Sequence, residues 1–207
     1  GEIKARLLMA HGAGAGNKHE FMEAIAVKLA ESGIQVVSFN FPYMQLVYAM
    51  DKKRPPNKID VLVDHFLQEL ESFDNEVTQV PLFVAGKSMG GRVASLLCTQ
   101  SNLKTKIKGL IVFGYPFIPP GKPEKLAERT KHFEDIFCDS LILQGQRDTF
   151  GSTETLKSLR TYDNIQLDWI VSGDHSFKPL KSSGLTQEKN ICDAIKLTKD
   201  FILEELS

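Results

Sequence analysis

Residues 84–91 read Val-Ala-Gly-Lys-Ser-Met-Gly-Gly, and two chemistries compete for them. Gly86-Lys87-Ser88 is the tail of a phosphate-binding loop, G-x-x-x-x-G-K-[ST], in which the serine would ligate magnesium. Gly86-x-Ser88-x-Gly90 is also the pattern of a sharp strand-to-helix turn that presents serine as a nucleophile. A phosphate loop needs its first glycine five residues before Gly86. Pro81 stands there, without an N–H to donate, and the apolar run 82–85 leaves no room for a cradle. The nucleophile turn needs such a strand directly before it. It also accounts for the glycines, because residues two before and two after so tight a turn crowd each other and favour hydrogen as the side chain. Lys87 falls at a variable position of this pattern, where a solvent-facing side chain near a pocket rim is expected.

A serine hydroxyl is a poor nucleophile until a base takes its proton, and the base needs a third group to fix its tautomer. Behind a turn of this kind the expected order is Ser, then Asp or Glu, then His, each after a strand end. Asp148 follows the apolar run 141–144 in "LILQGQRDTFG", and His175 follows 165–171 in "LDWIVSGDHSF". Taken alone, Asp148 would be read as the cap of a helix starting near Gly151 or Ser152. Asp174 is a weaker rival for the acid, since chain neighbours rarely point at each other. His19, His65 and His132 lie in expected helices and read as surface or core residues.

The stretch "LLMAHGAGAG" supplies what remains. A strand opening into His-Gly-x-Gly offers backbone N–H groups for a developing oxyanion, completed by the N–H of the residue after the nucleophile. Ala13 and Met89 are the expected donors, with Gly14 an alternative to Ala13; His11 is expected to shape the loop rather than act as a base. A dinucleotide-binding loop would need glycine where Asn17 stands and an acid after the second strand, where Phe39-Asn40 stands.

These groups need a scaffold that delivers them to one edge. Short apolar runs at 7–10, 34–39, 82–85, 110–113, 141–144 and 165–171 read as strands, and the segments between them carry helical period. Asn17 with Glu20 three residues on reads as the start of the first helix, with Phe21, Ile25 and Leu29 on one face and Gly33 as its stop. Ile59, Leu62, Val63, Phe66, Leu67 and Leu70 form a stripe on a second; a third follows Ser88, and the last starts near Thr186. Residues 42–57 show no clear period and read as a surface excursion, with 52–54 a solvated charge run. Residues 115–137 read as a proline-bearing connection followed by a polar helical pattern. Alternating strands and helices imply a mostly parallel twisted sheet covered on both faces, a three-layer α/β fold with chemistry at the carboxyl ends of its strands.

The 207 residues suit a single domain spanning 1–207, and 25 basic against 26 acidic residues leave no electrostatic footprint for nucleic acid or an anionic membrane. No apolar run approaches the roughly 20 residues of a membrane span. Cys98, Cys138 and Cys192 show no metal-ligand spacing and read as reduced thiols of a cytoplasmic protein. No cofactor or metal is expected, and no protein partner is indicated.

Together "HGAGAG", "GKSMGGR", "LILQGQRDTFG" and "GDHSF" resemble the α/β-hydrolase superfamily, from Leu7 to the final helix. More narrowly they look like the small hydrolase-like proteins related to testis-expressed protein 30 and to subunit 3 of the non-specific lethal histone acetyltransferase complex. The resemblance implies Ser88 as nucleophile, Asp148 as acid and His175 as base, acting on a small carboxylic ester or thioester. It also implies a sheet entered at the standard third strand, and little or no lid because the 115–137 connection is short. Some members of that narrower group serve as interaction subunits, so a catalytically silent binding or scaffold module is the alternative.

Overall fold

Residues with β-branched and large apolar side chains build six strands, and a computed structural model describes them within residues 2–74 and 79–206. They are β1 (Ala5–Ala10), β2 (Ile34–Phe39), β3 (Leu82–Lys87), β4 (Ile107–Phe113), β5 (Asp139–Gly145) and β6 (Ile165–Ile170). All pair in parallel, in the order β2-β1-β3-β4-β5-β6. Every strand therefore ends at the same edge of the sheet. β1 and β3 are buried along their whole length, as strands covered on both faces must be.

The alternation of side chains divides the core in two. Leu8, Val84, Leu110, Val112 and Ile142 face one side, where α3 (Ile59–Asp74) lays Leu62, Phe66 and Leu70 and α4 (Met89–Leu97) lays Val93 and Leu97. Leu7, Met9, Phe83, Ala85, Ile111 and Leu143 face the other, against Phe21, Ile25 and Leu29 of α1 (Glu20–Ala30) and Ile191, Ile195 and Ile202 of α6 (Gln187–Glu205). The expected stripe on α3 and the start of α6 at Thr186, whose side chain accepts from the Lys189 amide, both hold.

Three expectations are corrected. Asn17 does not start α1: His19 does, its Nδ1 accepting from the Phe21 amide at 3.2 Å. Asn17 instead exchanges hydrogen bonds with Asn40 and donates to the Ser38 carbonyl, tying the end of β2 to the loop after β1. Residues 42–57 are not a wholly irregular excursion, because Pro42–Met50 forms α2, with proline in its first turn and Asp51 ending it in the left-handed region at φ 48°. Residues 52–54 are exposed, as expected. Finally, no helix follows Asp148. The stretch from Gly151 to Arg160 is a series of turns. Between β4 and β5, the polar pattern yields only α5 (Leu126–Thr130) with a short 3-10 turn on each side.

Candidate active site

Ser88 sits at the joint between β3 and α4 with φ 52° and ψ −116°, a conformation that costs an L-residue of order 1–3 kcal/mol and persists only when its surroundings impose it. They do so here. The Ser88 amide donates to the Phe113 carbonyl on β4, and the Ser88 carbonyl accepts the first bond of α4, from Arg92. The two glycines of the motif have separate reasons. A Cβ on Gly86 would lie 2.2 Å from the Gly90 carbonyl carbon, and one on Gly90 would lie 2.5 Å from the His11 carbonyl oxygen. Gly86 thus lets α4 fold back on its own strand, whereas Gly90 lets α4 approach the end of β1. Gly86→Ala is expected to destabilise the fold by about 3 kcal/mol or more, because backbone rather than a side chain tip must move; urea denaturation measures it.

The three residues expected to act together converge. His175 Nε2 lies 2.7 Å from Ser88 Oγ, and His175 Nδ1 lies 2.7 Å from Asp148 Oδ2. An ionised carboxylate only accepts, so Nδ1 carries the proton and Nε2 is left to accept from the Ser88 hydroxyl. Asp148 is fully buried, while the His175 side chain is 23% exposed. Besides His175, the Asp148 carboxylate accepts from the Phe150 amide at 2.8 Å and from Gln144 Nε2 at 2.8 Å. The Phe150 ring leans on the imidazole, with centroids 4.3 Å apart.

Asp174, the rival acid, is directed elsewhere. Its Oδ1 accepts from the Ser176 and Lys178 amides and shapes the loop that carries His175. Gly145 lets that loop pass, since a Cβ there would lie 2.3 Å from the Asp174 carbonyl oxygen. Arg147 donates to the Ser172 and Lys178 carbonyls, and Asn190 of α6 to the Val171 and Phe177 carbonyls. The loop needs this bracing because Ser172 and Phe177 both have positive φ, 57° and 64°.

His11 shapes the loop after β1. Its Nε2 accepts from the Phe41 amide at 3.0 Å, which leaves Nδ1 to donate to the Gly12 carbonyl at 2.7 Å. Burial holds its pKa below the usual histidine value, keeping the ring neutral. Tyr43 Oη donates to the Ala13 carbonyl at 2.9 Å and lies 3.3 Å from the Gly12 carbonyl, the alternative acceptor for its one proton. Burial pushes its pKa up to about 12, so the phenol keeps its proton. A trans peptide sets N–H opposite C=O, so drawing these two carbonyls toward Tyr43 turns the Ala13 and Gly14 N–H groups the other way. At the other wall, Met89 is the first residue of α4, ahead of its first intrahelical bond.

A cavity of about 420 Å³ opens over Ser88 and His175, bounded by the loop from Gly12 to Ala15, by His19, Phe21 and Met22, and by Phe150 and Ser176. No residue of α2 or α5 lines it. The expectation for Lys87 is corrected: it is not at a solvent-facing rim but 9% exposed, and it lines the same cavity. Gln144 and Tyr43 were not singled out by the sequence, and His19, read there as a helical surface or core residue, caps α1 and lines the cavity. For Gln144 a signal existed, a lone amide inside the otherwise apolar "LILQG". Among the described residues no group of His, Cys, Asp and Glu is placed to hold a metal ion, and no helix is long and apolar enough to cross a membrane.

Comparison with solved structures shows the same architecture at low sequence identity. Est1E from Butyrivibrio proteoclasticus superposes with a TM-score of 0.72 at 14% identity, over 99% of this chain and 89% of that one. An alpha-beta serine hydrolase homologue from Coxiella burnetii gives 0.69 at 16%, covering 100% and 86%. A serine hydrolase without lid from Xanthomonas campestris gives 0.67 at 18%, covering 95% and 83%. No curated protein sequence matches. The sequence does match the family described as alpha/beta hydrolase domain over residues 3–203, and the chain belongs to that family.

Proposed function

We propose that the protein is a serine hydrolase acting on a small carboxylic ester or thioester. The observation that carries this reading is the unbroken chain from Ser88 Oγ through His175 to Asp148, with both links at 2.7 Å. As Ser88 Oγ attacks the carbonyl carbon, His175 Nε2 takes its proton, and Asp148 stabilises the imidazolium from the far nitrogen. The oxygen of the tetrahedral intermediate receives the N–H groups of Met89 and of Ala13 or Gly14. Collapse breaks the bond to the alcohol or thiol, which leaves with the proton from Nε2. Water, activated by the same nitrogen, then releases the acid from acyl-Ser88.

The resemblance of "GKSMGGR" to the group around testis-expressed protein 30 adds a second reading, a hydrolase-like binding module that is not turned over. The open cavity and the assembled triad favour turnover. A fluorophosphonate probe followed by mass spectrometry, alongside a panel of short p-nitrophenyl esters and thioesters, separates the two. The expected result is one adduct, on Ser88, with ester turnover. Absence of labelling at Ser88 would sink the hydrolase reading, and labelling without turnover of any member of the panel would favour the binding module.

A further inference from the structure

Lys87 continues the alternation of β3, so its side chain follows Phe83 and Ala85 toward the face covered by α1 and α6. Its Nζ donates to the His175 carbonyl and lies 5.3 Å from the centroid of Phe21 and 5.9 Å from that of Phe177. Gly114, with φ 69°, leaves the space it occupies, since a Cβ there would come within 3.0 Å of Nζ. An ammonium has three protons to place. Among the described residues only the His175 carbonyl takes one, and no carboxylate forms an ion pair with Nζ. Of the two acids that attract it, Asp148 has both oxygens engaged by His175, Gln144 and the Phe150 amide, and Asp174 turns Oδ1 to the Ser176 and Lys178 amides. A buried cation with unused donors is costly unless something supplies the missing acceptors.

The cavity over Ser88 is where acceptors can arrive. No Asp or Glu lines it, and Lys87 is its one lysine or arginine, with His19 and His175 beside it. Nζ lies against Phe21 and His175, which line the cavity together with Lys87, so an anion seated there would meet its two free N–H donors, and a charge-assisted bond to a buried ammonium is stronger than one made in bulk water. Of a substrate's two parts, the acyl part alone stays joined to Ser88 through both half-reactions, so a contact on that side acts on acylation and on deacylation.

Resting on the hydrolase reading above, we propose that Lys87 selects acyl groups that carry a negative charge, making monoesters or monothioesters of short dicarboxylic acids the substrate class. The acyl carboxylate takes the two free protons of Lys87, and hydrolysis releases a dicarboxylate. Burial lowers the Lys87 pKa to about 8, against the attraction of Asp148 and Asp174. The cation, and the selectivity with it, is therefore present below that pH and lost as pH rises through it.

The experiment compares kcat/KM for mono-p-nitrophenyl glutarate with that for p-nitrophenyl butyrate, in wild type, Lys87→Met and Lys87→Gln. The side chain amide of Lys87→Gln can still donate a hydrogen bond without carrying charge, so a loss of positioning affects it less than a loss of charge. The anionic-to-neutral ratio is expected to exceed one in wild type and to fall by roughly ten- to a hundredfold in both variants, the range of a charged hydrogen bond. In wild type the ratio should also fall as pH passes about 8; taking a ratio cancels any pH effect that the two substrates share. A ratio unchanged by either substitution, or a wild-type preference for butyrate, overturns the proposal. Calorimetric titration of glutarate and of its uncharged dimethyl ester into Ser88→Ala, with and without Lys87→Met, reads the same selection without turnover. If no ester is hydrolysed but glutarate binds in a Lys87-dependent way, the hydrolase reading fails and charge selection stands; if glutarate binds no better than its dimethyl ester, charge selection fails.

Discussion

Ser88→Ala is expected to lower kcat toward short esters by roughly a million-fold and to abolish fluorophosphonate labelling, while the folded protein remains. The size of the effect follows from how the group works. Without Oγ there is no acyl-enzyme, and His175 Nε2 has only a water molecule to activate. What remains is the binding of the ester and the N–H groups placed for its oxygen, which in enzymes of this chemistry leave a residual rate enhancement of about 10³ to 10⁴ over water. The fold should tolerate the change. The strain at φ 52° is imposed by Gly86, Gly90 and the bonds of the Ser88 backbone, not by the hydroxyl. Steady-state kinetics with active-site titration, together with thermal melting, measures both halves of this expectation.

Asp148→Asn is expected to cost about 10⁴ in kcat, the size of effect produced by a reversed imidazole tautomer. Besides His175, two donors meet the carboxylate: the backbone amide of Phe150, fixed in position, at Oδ1 and the side chain Nε2 of Gln144 at Oδ2. The new amide keeps its oxygen for the Phe150 N–H and so turns its NH₂ toward Gln144 and His175. Gln144 can accommodate it, because its Oε1 is buried without a partner and a flip of the side chain amide offers that oxygen. The flip gives up the Nε2 contacts to the Tyr115 and Gly151 carbonyls. His175 Nδ1 must then accept, its proton moves to Nε2, and Ser88 faces a donor instead of a base. NMR of the imidazole nitrogens reports the tautomer directly, and an unchanged Nδ1–H signal with full activity would contradict the assignment.

Much of this arrangement is legible in the residues. Six strands can be read from short apolar runs because a parallel sheet buries both faces and needs no alternation to be recognised. Ser88, Asp148 and His175 follow from their places after three of those runs. What resists reading is set by contacts between distant segments. Asn17 has the residue type of a helix cap, yet Asn40 lies close enough across the ends of β1 and β2 to claim its side chain. α2 escapes detection because Tyr43, Met44, Leu46, Val47, Tyr48 and Met50 leave too few polar positions to define a face. The helix expected after Asp148 fails because the carboxylate that would cap it is held by His175, Gln144 and the Phe150 amide. Lys87 is misplaced by its type alone. Lysine belongs in water by default, and only the space left by Gly114 together with the rings of Phe21 and Phe177 reveals a buried seat.

Asn190 divides the labour of the site between two parts of the fold. It stands near the start of α6, and its side chain grips the carbonyls of Val171 and Phe177 on either side of His175. The bonds that hold Ser88 in its strained turn come instead from β4 and α4. Loosening α6 would therefore leave the serine in its turn while slackening the loop of its base, so the nucleophile and its activation rest on separate supports.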